Sequence, residues 1–298
     1  MTPARVRVLA LAEEAPVWTR LGLAHAAGVS SSVVDGLITQ GVFETVFLPP
    51  APVTATPDPD YAAPTLEDGQ RTAADELIAA VRKQEFGVAL IDGVTGSGKT
   101  EVYFEAIAET VRKGKQVLIL LPEIALTPAF LERFQDRFGA KPAEWHSDLA
   151  PRMREKVWRQ VAEGEVRVVA GARSALFLPF ENLGLIIIDE EHDPAYKQED
   201  RVFYNARDMA VVRGRISGFP VILVSATPSV ESRVNADQGR YHYIHLASRF
   251  GGAAMPDLHL IDMRRFPPAR GGFLSPVMLK AMAQAAERGE QSLLFLNR

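Results

Sequence analysis

The sequence predicts an α/β protein in which a parallel β-sheet, with helices on both faces, follows a small helical domain. Short continuous apolar runs alternate with stretches of helical periodicity, and this pattern is typical of a parallel sheet that is buried on both faces. A proline-rich stretch at residues 49–64 cannot form the interior of a helix or a sheet. We therefore interpret it as an extended linker between two domains.

The composition excludes several classes of protein. The 298 residues are 47% hydrophobic and 23% charged, as in ordinary globular proteins. Cysteine is absent, which excludes a disulfide-stapled secreted scaffold and a zinc site built on thiolates. No apolar run approaches the roughly 18–20 residues of a membrane span. Because Glu13 and Glu14 interrupt the apolar N-terminus, a signal peptide is not expected, and the sequence predicts a soluble cytoplasmic protein without a membrane partner.

The first 48 residues have the pattern of a winged-helix domain. Three helical stretches precede one alternating stretch, at Arg5–Ala12, Thr19–Ala26, Ser31–Gln40 and Val42–Phe47. Gly28 favours the end of the second helix, and Ser30 or Ser31 can cap the third. Such domains bind nucleic acid or other proteins. Three basic against six acidic residues up to Pro64 argue against strong autonomous DNA binding, so both alternatives stay open.

Residues 65–247 supply the alternating elements of the larger domain. Strands are predicted at Val88–Ile91, Val117–Leu121, Val166–Val169, Leu185–Ile188 and Val221–Val224. Helices are predicted at Glu101–Arg112, Pro128–Arg137, Pro151–Ala162 and Asn205–Arg215. Beyond them, residues 248–298 contain one further helix, Pro276–Arg288, and one further strand, Ser292–Asn297.

A phosphate-binding loop follows the first of these strands. Residues 93–100 read G-x-x-x-x-G-K-T and lie between a strand and a helix, which is the context that this motif requires. Backbone amides of the loop and the helix N-terminus attract phosphate. Lys99 adds a positive charge, and the hydroxyl of Thr100 is a ligand for Mg²⁺. ATP and Mg²⁺ are therefore the predicted cofactors, and the ATP-binding residues are Gly93, Val94, Thr95, Gly96, Ser97, Gly98, Lys99 and Thr100.

Two further strand ends complete the predicted site. Asp189 and Glu190 follow the strand Leu185–Ile188, where Asp189 can hold Mg²⁺ and Glu190 can polarise the attacking water. Together with Lys99 they are the predicted catalytic residues. Ser225 and Thr227 follow the strand Val221–Val224 and can hydrogen-bond to the acidic turn, thereby reporting the state of the γ-phosphate. The alternative is an ordinary capping turn before the next helix.

A segment that mixes aromatic and basic residues follows the acidic turn. Its members are Tyr196, Lys197, Arg201, Phe203, Tyr204 and Arg207. Aromatic rings stack on bases and cations follow phosphates, so the segment predicts contact with single-stranded nucleic acid. The stretch 201–215 contains four arginines and one aspartate, a local charge of 4 − 1 = +3. A solvated loop with a few packed rings is the alternative.

These motifs together resemble superfamily 2 helicases, whose lobes have a RecA-like fold. The wording GVTGSGKTEVY, LPEIALT, GARSALFLPF, IIIDEEHDPAYKQ and SATPSVES is most similar to the family of bacterial replication-restart DNA helicases. The resemblance implies that Gln70 contacts adenine and that His192 couples the state of ATP to DNA. It also implies single-strand contacts by Thr127, Arg173 and Ser174.

The resemblance implies an ATP-dependent 3′-to-5′ DNA helicase that acts at stalled forks and starts replication restart. Its partners would be forked and single-stranded DNA, primosome proteins and single-strand-binding proteins, and it would be a nucleoid-associated monomer. We expect residues 248–298 to begin a second lobe, and zinc to belong to a cysteine-rich insertion of full-length members. Such a fragment would hydrolyse ATP very slowly, because an arginine from the second lobe is worth about 10³–10⁵ in rate. The alternatives are a restriction-type translocase, an RNA helicase, or a non-catalytic binding module.

Overall fold

The computed structural model describes residues 1–15, 17–46, 51–122, 127–247 and 257–295. The first range and the second hold three helices, α1 (Pro3–Glu14), α2 (Arg20–Ala26) and α3 (Ser31–Thr39). Their apolar faces enclose a small core that includes Val8, Leu23 and Leu37. Gly28, with φ of 62°, adopts the left-handed conformation that ends α2 and lets α3 pack against it.

The alternating stretch predicted as a strand at Val42–Phe47 is not a strand where the structure describes it. Residues 42–46 are irregular, and Phe47 lies outside the described residues. A strand needs a neighbour for its backbone hydrogen bonds, and the described part of the small domain provides none. Among residues 1–15 and 17–46, the three predicted helices are therefore found without the β-ribbon of a winged helix.

A seven-stranded parallel sheet forms the centre of the larger domain. Its strands are β1 (Val88–Gly93), β2 (Gln116–Leu120), β3 (Ala143–Trp145), β4 (Val168–Gly171), β5 (Leu183–Ile188), β8 (Val221–Ser225) and β9 (His242–Leu246). They lie in the order β3-β4-β2-β5-β8-β1-β9, and every pair is parallel. A short antiparallel hairpin consists of β6 (Lys197–Gln198) and β7 (Tyr204–Asn205). The five predicted strands are confirmed, whereas β3 and β9 were not predicted.

Helices cover both faces of this sheet, as in the RecA-like fold. The helices are α4 (Asp68–Lys83), α5 (Lys99–Arg112), α6 (Pro128–Phe138), α7 (Pro151–Ala162), α8 (Ala206–Ser217) and α9 (Val230–Asp237). One apolar layer joins α4, α5 and α6 to the sheet, and residues of α7 and α8 line the other. Side chains of a strand alternate between its two faces. In β1, Ile91 therefore packs in the layer with α4, α5 and α6, whereas Leu90 packs in the layer with α7 and α8.

The carboxyl ends of neighbouring strands bring the predicted motifs together. The order β5-β8-β1 places the ends of these three strands side by side. The phosphate-binding loop follows β1, the acidic turn follows β5, and Ser225 ends β8. The fold therefore positions all three motifs at one edge of the sheet, where open α/β sheets bind their ligands.

The proline-rich stretch is bound to the larger domain and is not a free spacer. Residues 51–64 form neither helix nor strand, as predicted. However, the backbone N–H of Val53 donates to Oε1 of Gln160 at 2.8 Å. The side chain of Gln160 in turn donates through Nε2 to the carbonyl of Ala51 at 3.2 Å. The backbone N–H of Asp58 donates to the carbonyl of Phe138, and the ring of Tyr61 lies against Gly139. We call residues 51–62 the strap.

The last described segment, residues 257–295, contains α10 (Pro276–Glu287). This helix agrees with the helix predicted at 276–288. The strand predicted at Ser292–Asn297 is not found at residues 292–295, which have no partner strand, and residues 296–298 lie outside the described part. Among the helices of the described ranges, none combines the length and the apolar character needed to cross a membrane.

The hydrogen bonds of Gln160 are expected to hold the strap against the larger domain. In Gln160→Ala, the backbone groups of Ala51 and Val53 lose their partners. Each hydrogen bond contributes about 1 kcal/mol, so loss of both should make the amides of the strap exchange with deuterium roughly thirtyfold faster. Hydrogen exchange measured by mass spectrometry checks this.

A matched control is Gln116→Ala, which removes another buried amide. Gln116 bonds to Val161, Val166 and Asn182 and does not touch the strap. It should lower the free energy of unfolding without faster exchange in the strap. Equal exchange in the two variants would show that Gln160 does not hold the strap.

Candidate nucleotide-binding site and adjoining loop

The phosphate-binding loop depends on glycine at three positions. Gly96 and Gly98 have φ values of 83° and 79°, in the left-handed region that favours glycine. A Cβ on Gly93 would lie 2.6 Å from Oγ of Ser97 and 2.9 Å from Cβ of Leu246, closer than packed atoms allow. Helix α5 begins at Lys99, so its N-terminal amides and its partial positive charge face the loop.

Lys99 is buried inside this loop. Its Nζ donates to the carbonyl oxygens of Gly93 at 2.7 Å and Val94 at 3.3 Å. Burial lowers the pKa of Lys99, while the nearby carboxylates of Glu190, Asp189 and then Asp92 raise it. An ammonium group taken out of water in this way is stabilised by an added anion, which a phosphate would supply.

Ser97 provides a direct test of whether the loop fits phosphate. Its Oγ is the one buried side-chain nitrogen or oxygen atom without a hydrogen-bond partner among the described residues. The residue is 1% exposed. Because buried polar groups in proteins are nearly always hydrogen-bonded, a hydroxyl left unpaired inside a glycine-rich loop marks a place for a ligand oxygen. The loop therefore fits a phosphate group.

Asp189 is held by a tyrosine that sequence reasoning missed. The hydroxyl of Tyr103 donates to Oδ2 of Asp189 at 3.0 Å, and the backbone N–H of Glu190 donates to Oδ1 at 2.9 Å. Burial raises the pKa of Asp189, and the hydrogen bond from Tyr103 opposes this rise. Tyr103 lies on α5, four residues beyond Lys99, so one helix positions both the ammonium and the carboxylate.

The donor set fits Mg²⁺ only together with phosphate. Among the described residues there is no group of three or more His, Cys, Asp or Glu side chains that could hold a metal. Asp189 and Thr100 lie at the same edge of the sheet and supply one carboxylate and one hydroxyl. Mg²⁺ bound with nucleotides takes few protein ligands and completes its shell with phosphate oxygens and water. The residues present are consistent with that arrangement.

Glu190 and His192 form the exposed side of the acidic turn. Glu190 has a φ of 48°, an uncommon left-handed conformation for a residue other than glycine. Its Oε2 lies 3.6 Å from Nδ1 of His192. The same Nδ1 lies 2.8 Å from Oγ of Ser225, which also accepts from the backbone N–H of Thr227 at 2.9 Å. The acidic turn and the end of β8 are thus in direct contact, Thr227 through its backbone.

The third residue of the acidic turn, Glu191, accepts four hydrogen bonds through its side chain. Its side chain accepts from the backbone N–H of Ser229, the hydroxyls of Ser229 and Ser232, and Nη1 of Arg207. The prediction that Arg207 contacts DNA is therefore wrong for this conformation. Arg207 is 9% exposed, and its guanidinium pairs with Glu191 through Nη1 and with Asp208 through Nε.

Tyr196 is a second correction. We expected its ring to stack on a base, but the residue is 1% exposed and belongs to the apolar layer under the sheet. Its hydroxyl donates to the carbonyls of Leu120 at 3.0 Å and Asp189 at 2.5 Å. Burial also raises its pKa. Tyr196 thus holds the acidic turn against β2 and cannot reach a nucleic acid.

The other residues predicted for single-strand contact differ in exposure. Lys197 and Arg201 are exposed on the β6–β7 hairpin, and Phe203 is 78% exposed. The ring of Tyr204 packs edge-on against Phe177 with centroids 5.2 Å apart. The hairpin therefore presents these two cations and Phe203 to solvent, together with the acidic residues Glu199 and Asp200.

Four more predicted residues support the site through local hydrogen bonds. Arg173 donates to the carbonyls of Ala195 and Lys197 at the base of the hairpin. Further hydrogen bonds involve Ser174 with Trp145, Thr127 with the first turn of α6, and Gln70 with Glu67 and Ser97. Gln70 is buried, and its Nε2 lies 2.9 Å from the carbonyl of Ser97, so in this conformation it contacts the phosphate-binding loop.

Comparison with known proteins agrees with this geometry. Residues 68–235 match the family model described as DEAD/DEAH box helicase. The match covers more than half of the chain and includes the phosphate-binding loop, the acidic turn and the end of β8. The chain belongs to the DEAD/DEAH box helicase family.

Within curated proteins, the chain is similar to Replication restart protein PriA from several bacteria. The protein of Rickettsia felis is 43% identical over 238 residues, which are 80% of this chain and 36% of that protein. The protein of Haemophilus influenzae is 46% identical over 234 residues, 78% of this chain and 31% of the other. The protein of Chlamydia pneumoniae is 40% identical over 293 residues, which cover 93% of this chain and 38% of that protein. The chain thus spans about a third of the length of these relatives.

Solved helicase structures show a weaker similarity. The helicase domain of Pyrococcus furiosus Hef has 21% identity and a TM-score of 0.43, covering 60% of this chain and 38% of that one. The helicase MrfA bound to DNA has 19% identity and a TM-score of 0.43, covering 66% and 30%. Similarity at this level carries no argument about function.

The unpaired hydroxyl of Ser97 leads to a prediction about stability and affinity. Ser97→Ala removes a buried group that has no partner, so the free energy of unfolding should stay unchanged or rise by up to about 1 kcal/mol. Affinity for ATP with Mg²⁺ should fall roughly 10- to 150-fold, since one hydrogen bond to a charged oxygen, worth about 1.5–3 kcal/mol, is lost. Chemical denaturation and titration calorimetry measure the two effects.

Ser232→Ala is the matched control, because its hydroxyl is equally buried but donates to Glu191 at 2.9 Å. It should lower the free energy of unfolding by about 1 kcal/mol or more. A destabilised Ser97→Ala with unchanged affinity for ATP would contradict the assignment of Ser97 to the phosphate site.

Proposed function

We propose that this chain contains the ATP-binding lobe of a DNA helicase that acts in replication restart, and that ATP hydrolysis there drives movement along DNA. One observation carries the proposal. The buried ammonium of Lys99 and the carboxylates of Asp189 and Glu190 lie at one edge of the parallel sheet, and the β6–β7 hairpin with its exposed Phe203 follows the acidic turn directly. The membership in the DEAD/DEAH box helicase family supports it.

The residues divide the chemistry of hydrolysis between them. Lys99 and the loop amides hold the β- and γ-phosphates, and Thr100 with Asp189 supplies the protein ligands of Mg²⁺. Mg²⁺, when bound, neutralises charge on the phosphates and orients them. Glu190 is the residue placed to orient and deprotonate water, because its carboxylate is 41% exposed and adjoins Asp189.

The exposed hairpin is the proposed contact for single-stranded DNA. Lys197 and Arg201 would follow the phosphates while Phe203 stacks on a base. We carry over from the resemblance the 3′-to-5′ direction, forked DNA as the substrate, and primosome and single-strand-binding proteins as partners of a monomer in the nucleoid. The names of the curated relatives support a role in replication restart.

We expect the 298-residue chain by itself to hydrolyse ATP slowly. Helicases of this class stabilise transition-state charge with an arginine from a second lobe, which is worth about 10³–10⁵ in rate. The relatives are about three times as long as the matched region, which supports a contribution from elsewhere in such proteins. Measurements of ATP and DNA binding therefore test this chain more directly than its rate of ATP hydrolysis does.

The test of the function uses Phe203→Ala and a fluorescent single-stranded DNA. Loss of one stacking ring should weaken binding roughly 5- to 100-fold at fixed salt, since such stacking is worth about 1–3 kcal/mol. Fluorescence anisotropy at two salt concentrations measures the affinity and its salt dependence.

Phe86→Ala is the control, because Phe86 is also exposed but precedes β1 at the opposite end of the sheet. It should leave DNA affinity unchanged. Equal losses in the two variants would contradict a DNA contact at the hairpin. Tighter binding of RNA than of DNA of the same sequence would favour an RNA helicase instead.

A further inference from the structure

Glu191 is a charged side chain at the centre of three segments, and no step of the proposed chemistry uses it. The residue is 1% exposed. Four donors surround its carboxylate, with distances of 2.6 Å and 3.0 Å from the N–H and hydroxyl of Ser229, 2.9 Å from Ser232, and 3.1 Å from Nη1 of Arg207. Its own backbone N–H donates to the carbonyl of Val224 at 2.9 Å.

The partners of Glu191 belong to two other parts of the domain. Ser229 and Ser232 begin α9, directly after β8. Arg207 begins α8, directly after the β6–β7 hairpin, and its backbone N–H donates to the side chain of Asn205 in β7. Glu191 therefore connects the acidic turn to the end of β8 and to the hairpin at the same time.

The contact with Arg207 has the geometry of a rigid connection. Nη1 of Arg207 also donates to Ser229 at 2.7 Å, and Nε donates to Asp208 at 2.8 Å. A buried carboxylate that loses its cation is strongly destabilised, so such a pair stays together when either element moves. Displacement of the acidic turn would accordingly pull on the start of α8 and on β7.

We propose that Glu191 and Arg207 are positioning residues, which transmit the nucleotide-dependent position of the acidic turn to the β6–β7 hairpin. This inference rests on the proposed function and deepens it, because it names the pair through which ATP and DNA affect each other. Glu191 acts here through Arg207 and does not touch the nucleotide. Neither residue was assigned such a role from the sequence.

The experiment measures hydrogen exchange of the full chain with and without a non-hydrolysable ATP analogue and Mg²⁺. In the wild type, the exchange rates of the amides of residues 197–205 should change about tenfold when the nucleotide binds. Typical couplings between two allosteric sites are of this size. Glu191→Gln and Arg207→Gln should each bind the analogue within about threefold of wild type and lose this response. The double variant should equal either single variant, because both remove one connection.

Two further variants separate loss of the connection from a general loss of stability. Arg207→Lys retains the charge but cannot fork between Glu191 and Asp208, so it should fold and show a reduced response. Glu105→Gln removes the carboxylate of another buried pair, which Glu105 forms with Arg137 at 2.9 Å on α5 and α6. It should lower stability while the hairpin keeps its full response.

The outcomes separate this inference from the proposed function. If the wild type does not bind the analogue, the proposed function fails, and this inference with it. If the wild type binds the analogue but its hairpin does not respond, the inference alone fails. The same holds if Glu191→Gln keeps the response, or if Glu105→Gln loses it equally.

Discussion

Lys99 and Asp189 place opposite charges at one buried edge of an apolar sheet, and the surrounding site compensates for the cost of burying them. Carbonyl oxygens of the phosphate-binding loop accept from Lys99, and the hydroxyl of Tyr103 donates to Asp189. Because Tyr103 and Lys99 lie on the same helix, the position of each charge is fixed by the packing of α5. The parallel register of β1, β8 and β5 then keeps the two charges at the same edge.

A second set of hydrogen bonds surrounds the first. Tyr196 fixes the acidic turn to β2, His192 fixes it to Ser225, and Glu191 fixes it to α8 and α9. Each of these contacts uses a polar atom that is wholly or partly buried, so breaking it leaves a group without a partner and costs more than the bond contributes. The acidic turn is therefore stiffly connected to β2, to the end of β8 and, through α8, to the β6–β7 hairpin.

The strands that carry the site could be predicted because each is a continuous apolar run, and the phosphate-binding loop because its spacing is specific. Tyr196 and Arg207 could not be assigned from their neighbours, since a mixed aromatic and basic stretch does not show which members enter the core. Strand β3 has three residues, and His242 and His245 break up the apolar residues of the edge strand β9, so neither gives an apolar run. The strap was missed because its contacts join residues far apart in the chain, as Val53 and Gln160 are.

In the proposed function, one lobe binds nucleotide and single-stranded DNA at sites that affect each other. Titration calorimetry of single-stranded DNA, with and without saturating ATP analogue and Mg²⁺, tests this most directly. The nucleotide should change DNA affinity about 5-fold or more, DNA should change nucleotide affinity by the same factor, and Lys99→Met should abolish both effects. Two ligands that bind independently, each with an affinity unchanged by the other, would contradict the account.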